Sequence, residues 1–208
     1  MPGALESQDG EVGEEAFAEV LAGKTPEALL SVLTAGGGDP LETFARCTRR
    51  ARERALLIDP HRLHERALAR IALAAASYAG DPPLDEWISA SIDRTLEALV
   101  NEDREEEQQG ARLEEWDARY EFLVYMLGIP PEETRRAAIA FNALREDIRQ
   151  VWYELCVDGD EPPDVVARHG GDENYVRLCA QACFHAVFLE PVPTVPPPPG
   201  PRPSDTQP

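Results

Sequence analysis

Apolar residues in this chain recur at helical spacing, and proline and glycine cut that recurrence into short lengths. In residues 60–78 the apolar positions are Leu63, Ala67, Leu68, Ile71, Ala74 and Ala75, a single stripe of the kind one helix face presents. Residues 84–100 repeat the pattern, with Trp87, Ile88, Ile92, Leu96 and Leu99 on one face. No segment carries the period-two alternation of a half-buried strand. The expected fold class is therefore all-α: helices joined by turns of roughly two to six residues, arranged as a bundle or as two helical lobes.

The punctuation places the elements. Residues 1–12 read as a flexible acidic leader, and residues 14–21 have a helical apolar pattern that stops near Gly23. Thr25-Pro26-Glu27 is a helix start, with threonine as N-cap and proline at the first helical position. The short helix that follows ends at Gly36-Gly37-Gly38. Residues 41–58 read as an Arg-rich helix that Asp59-Pro60 breaks while capping the next one. After 84–100 comes a strongly acidic stretch, residues 101–117, with eight acids against Arg104 and Arg112, expected as a solvated linker or helix surface. Further helices are predicted over 116–127, from Pro130-Pro131 to about 143, over 146–157, over 165–169 behind Pro162-Pro163, and over 174–189. Half of residues 191–208 is proline, which predicts a disordered, extended tail.

Charge and cysteine usage narrow the function classes. The 208 residues carry a formal charge of -19, and Lys24 is the only lysine. A free-standing DNA binder shows the opposite sign, because affinity for a duplex comes from releasing counterions from phosphates. Contact with nucleic acid would then be local and assisted, or the partner would be a basic protein surface. The N-terminus is acidic and lacks an apolar core, so no signal peptide is expected, and no run of apolar residues is long enough for a membrane span. Cys47, Cys156, Cys179 and Cys183 are accordingly expected as reduced cytoplasmic thiols.

No catalytic residue, cofactor or metal site is predicted. His61 and His64 near a helix start have no nucleophile motif beside them, and Gly36-Gly37-Gly38 lacks the lysine and hydroxyl of a phosphate loop. Cys179 and Cys183 are four residues apart on one helix, near His169 and His185; a structural zinc site needs four ligands, and small buried thiols are the better account. The basic cluster Arg46, Arg49, Arg50, Arg52 and Arg54 has two open readings: a contact for phosphate or an acidic protein, or a face that pairs with this chain's own acids. Trp87, Trp116 and Trp152 each lie on an apolar stripe and are expected in cores.

The most informative order of residues begins at Phe141-Asn142-Ala143-Leu144-Arg145 and runs through Arg149, Val151, Trp152, Leu155, Asp158-Gly159, Val166-Ala167, Gly170-Gly171 and Val176-Arg177. A helix, a glycine turn, a short helix, a second glycine turn and a longer helix form a tri-helical unit that presents its last helix to a groove. This order resembles region 4 of sigma-70 family factors over residues 142–188. Leu144 stands at that region's Leu-Pro pair, with Arg145 replacing the proline; Val166-Ala167 and the second glycine turn fit with about one residue of slippage. Residues 84–96, with Trp87, Ile88, Ile92 and Arg94, are similar to the sigma region 2 segment that melts the promoter, at a spacing one residue longer and with its other basic residues missing.

The resemblance implies a layout like that of small extracytoplasmic-function sigma factors: an acidic leader with short helices (1–40), a region 2-like lobe (41–100), an acidic linker and helix (101–128), a region 4-like helix-turn-helix (129–190) and a tail (191–208). It implies core RNA polymerase as partner and promoter DNA bound only weakly by the chain alone. DNA contacts would come from Asn174, Tyr175, Arg177 and Gln181, with Trp87 and Arg94 upstream, and partner contacts from Arg46, Arg49 and Arg50. Departures from the family bear on this: Cys179 sits near where an arginine is usual, and Asp172 and Glu173 put negative charge where phosphate would approach. The alternative is a sigma-derived interaction module that no longer reads DNA and meets a basic regulatory protein.

Overall fold

The structure, a computed structural model, describes residues 42–78, 81–109 and 122–198. The leader, the helix start at Thr25, the stretch around Trp116 and residues 199–208 lie outside the described residues. Those described are helical and contain no strand, so the all-α expectation holds for them. No helix among them is long and apolar enough to cross a membrane. They fall into two compact units: one takes the described residues up to Arg50 together with Pro60–Leu99, the other takes Ala51–Asp59 and the described residues from Val100 onward.

The first unit draws on helices α1 (Thr43–Glu53), α2 (Pro60–Ala74, continued by a 3-10 turn at Ala75–Ser77) and α3 (Leu84–Gln108). The stripe read from the sequence is the buried face of α2: Leu63, Ala67, Leu68 and Ile71 are buried, with Ala75 just beyond. Leu84, Ile88, Ile92 and Leu96 do the same for α3. Each such leucine or isoleucine removed from water contributes about 1.5–3 kcal/mol before chain entropy is set against it. The Phe44 ring of α1 packs at 4.9 Å from that of His61 and 5.5 Å from that of His64, so these two histidines are wall residues of an aromatic contact.

Two boundaries differ from expectation. The helix foreseen over 41–58 stops at Glu53; Ala55 is left-handed at φ 46°, and 56–59 run outside any helix into Pro60, which disfavours helical backbone before it. Helix α3 runs past residue 100 to Gln108, so the acidic stretch begins as helix. Its Asp103 is buried because Arg135 reaches it at 2.7 Å and also reaches Glu106 at 2.7 Å.

The second unit contains a π-helical turn at Phe122–Met126, a 3-10 turn at Pro131–Glu133, then α4 (Thr134–Asn142), α5 (Glu146–Tyr153, continued by a π-helical turn at Glu154–Asp158), α6 (Pro162–His169) and α7 (Glu173–Val187). Helix α7 packs on α4, α5 and α6. The core includes Phe141, Val151, Trp152, Val165, Val176, Cys179 and Cys183, with the Phe141 and Trp152 rings edge to face at 5.1 Å.

The tail expected to be disordered from residue 191 has a placed first part. Residues 191–198 are irregular, and Val195 enters the core cluster at 6% exposure. The Arg145 guanidinium donates at 3.0 Å to the Val195 carbonyl and at 3.0 Å to that of Pro196. Proline rings leave little backbone freedom to lose, so one buried side chain and two hydrogen bonds are a sufficient anchor.

Candidate nucleic-acid interface

The junction of α6 and α7 is built by three residues with separate jobs. Gly170 ends α6 in the left-handed conformation at φ 69°, its N–H returning to the Val166 carbonyl. Gly171 lies under the Tyr175 ring: a Cβ there would stand 2.6 Å from Tyr175 Cδ1. Asp172 caps α7, its carboxylate accepting from the Tyr175 N–H at 2.7 Å. The acid read as an obstacle to phosphate is thus also the cap that starts the helix. A short helix, a three-residue glycine turn and a 15-residue helix against α5 have the connectivity of a helix-turn-helix.

Helix α7 has two faces. Tyr175, Val176, Cys179, Ala182, Cys183, Ala186 and Val187 point inward. Asn174, Arg177, Gln181 and Phe184 form an exposed stripe, continued by Phe188 just past the helix end. Asn174, Arg177 and Gln181, three of the four α7 residues expected to touch DNA, therefore share an outward face, and Arg177 donates to Asn174 Oδ1 at 2.7 Å. Tyr175 is a correction: it is 4% exposed, and its hydroxyl donates to Asp147 Oδ2 at 2.8 Å, so it braces α7 against α5 and offers nothing to a groove.

That brace belongs to a small network. Arg145 forks onto both oxygens of Asp147 at 3.0 and 2.8 Å while holding the carbonyls of Val195 and Pro196. The Arg145 hydrogen bond holds the Asp147 carboxyl below its ordinary range, with Tyr175 adding to the effect. Burial and the carboxylate together push the Tyr175 phenol up. Sequence reasoning misses this network; its only local trace is Arg145 two residues before Asp147.

A second bracing group surrounds Arg149, a residue of the motif. Its buried guanidinium donates to the backbone carbonyls of Ala55 (3.0 Å), Arg54 (3.1 Å), Asn142 (3.2 Å) and Leu144. Asn142 clasps Leu57 from both sides, accepting from its N–H at 2.9 Å and donating to its carbonyl at 2.8 Å. The Tyr153 hydroxyl donates to the Leu56 carbonyl at 3.3 Å. The non-helical chain after Glu53 is stable because side chains of α4 and α5 satisfy its carbonyls in place of a helix.

The other expected site residues are placed as follows. Arg46 is paired with Asp85 at 2.7 Å, and Arg50 forks onto Asp93 at 2.6 and 2.8 Å, so two of the three partner-binding candidates are engaged by acids of α3; Arg49 is exposed. Arg52 and Arg54 pair with Asp158 and Glu146. The cluster's second reading, pairing with the chain's own acids, describes four of its five members. Trp87 is half-buried with its ring 5.0 Å from that of Tyr78, and Arg94 is exposed on α3. Burial pushes the thiols of Cys179 and Cys183 up, and Cys183 donates to the Ile148 carbonyl at 3.7 Å, the behaviour of small core residues.

Beside the turn lies a cleft of about 450 Å³ whose walls include Gly170, Gly171, Asn174, Leu178, Pro196 and Pro197. Neither a family model, nor a curated protein, nor a solved structure matches the chain.

Proposed function

We propose that this chain is a sigma-like transcription protein of the cytoplasm that acts with core RNA polymerase and touches promoter DNA through α7, polymerase supplying most of the affinity. The observation that carries this is the outward stripe of Asn174, Arg177 and Gln181 on the last helix of a glycine-turned helix pair. Amide and guanidinium side chains are the ones that pair with adenine and guanine edges in a major groove, each good pair worth about 1–3 kcal/mol of discrimination. The test is binding to mixed promoter DNA at low and moderate salt, with and without core polymerase. Binding is expected only with polymerase, and Arg177→Ala is expected to weaken it about tenfold, the loss of one base or phosphate contact.

A second reading, an interaction module that no longer reads DNA, is favoured by a specific observation. The same stripe continues into Phe184 and Phe188, 36% and 47% exposed, while Asp172 and Glu173 flank its start. A stripe with acids at its start and exposed aromatic rings at its far end suits a basic protein surface better than phosphates. Absence of DNA contact with and without polymerase, together with retained polymerase binding, selects it.

A further inference from the structure

We propose that residues 191–198 are a releasable cover over the start of α7. Pro196 and Pro197 wall the same cleft as the turn glycines, Asn174 and Leu178. In a helix-turn-helix the first residues of the last helix are those that approach base edges. Asn174 stays exposed with the segment in place, so the cover lies beside the first turn of α7, on the flank a duplex would have to pass.

Its attachment is built to let go. Among residues 191–198 Val195 alone is buried. The polar clamp is Arg145, which keeps its two bonds to Asp147 when the Val195 and Pro196 carbonyls leave, so release strands no charge. A contact with a single apolar anchor opens at low cost compared with unfolding the unit. The consequence for promoter binding rests on the function proposed above; the cover itself does not.

The test uses the full chain with Cys156→Ser, which removes the exposed thiol and leaves Cys47, Cys179 and Cys183 buried. Leu178→Cys then reports the cleft through its rate of maleimide labelling. Adding Val195→Asp is expected to raise that rate about tenfold, as for a cover closed about nine-tenths of the time, with helical circular dichroism unchanged. An unchanged rate in a chain that keeps its helicity overturns the proposal. Should Val195→Asp fail to fold, Val195→Cys decides. Labelling slower than in denatured chain, yet complete below the unfolding transition, supports a cover that opens. A rate equal to the denatured chain's overturns docking, and protection lasting until global unfolding overturns release.

With core polymerase and mixed promoter DNA, Val195→Asp is expected to bind about tenfold tighter than the parent. Equal, measurable affinity of the two overturns the occlusion. Faster Leu178→Cys labelling with no DNA bound by either chain leaves the cover standing and removes the promoter function.

Discussion

Arg149 shows how much one side chain can organise. Burial lowers the pKa of its guanidinium, but from so high a starting point that it stays charged, and four carbonyls take up its donors. Arg149→Met is expected to cost about 3 kcal/mol in urea unfolding, because buried acceptors lose their partner at roughly 1–3 kcal/mol each and the losses overlap. Arg149→Lys is expected to recover only part, since an ammonium on a shorter side chain brings three donors to four carbonyls. Asp147 makes a pH-dependent prediction. Its carboxyl is held below the unfolded value, chiefly by the Arg145 hydrogen bond, so its contribution is present above the unfolded pKa of about 4 and is lost as pH falls through the folded one. Urea midpoints of the parent and Asp147→Asn are expected to differ by a constant amount near neutrality and to converge below about pH 4. Arg149 is visible in the sequence as a motif residue, but its carbonyl fan is not, because the chain it holds lies 94 residues away.

Helices α5, α6 and α7 meet through turns that tolerate little change. Gly171→Ala sets a methyl against the Tyr175 ring, which the Asp147 hydrogen bond keeps in place, and overpacking of this kind costs about 1–3 kcal/mol. The check is thermal unfolding of the single variant against Gly171→Ala with Tyr175→Leu, in which the clash is relieved and part of the loss should return. Tyr153, at the end of α5, gives the alkaline counterpart of Asp147: burial pushes its phenol up to about 12. The neutral form is the one the fold prefers, so this stability is complete below the unfolded pKa of about 10 and is lost as pH rises through the folded value near 12. Urea midpoints at pH 8, 10 and 11 should fall for the parent and fall less for Tyr153→Phe. At this scale the sequence is most legible: α5 starts where expected, at Glu146, α7 lies within two residues of its expected bounds, and α6 opens at Pro162 and ends at Gly170, while α4 begins only at Thr134, after a 3-10 turn that starts at Pro131.

Over the whole molecule the -19 charge is joined by a second fact: where the structure describes the arginines, most are engaged internally. Arg46, Arg50, Arg52, Arg54, Arg135, Arg145 and Arg168 hold carboxylates, and Arg149 holds carbonyls. A protein organised so has few cations to release counterions from a duplex, so under the function proposed above polymerase would have to bring the DNA. Replacing Glu173 by Lys and Gln181 by Arg, both exposed on α7, is expected to steepen the dependence of polymerase-assisted binding on salt, by about 0.9 in log–log slope for each cation that reaches a phosphate. Unchanged slope would mean that α7 does not face DNA in the assembly.

What the sequence determined by itself is local. The apolar period of 3.6 makes helices, proline and glycine divide them, and the order of helix, turn, short helix, turn and long helix is set by residues a few positions apart. The tertiary structure alone decided which face of α7 is turned outward, leaving Tyr175 inside and Asn174, Arg177 and Gln181 outside. It decided that the Arg46–Arg54 cluster is mostly paired, that chain beyond Glu53 leaves the helix for the side chains of α4 and α5, and that Val195 is core. Those outcomes depend on partners distant in sequence, such as the 50 residues between Arg145 and the Val195 carbonyl, and burial and hydrogen bonding between such partners leave no periodic mark along the chain.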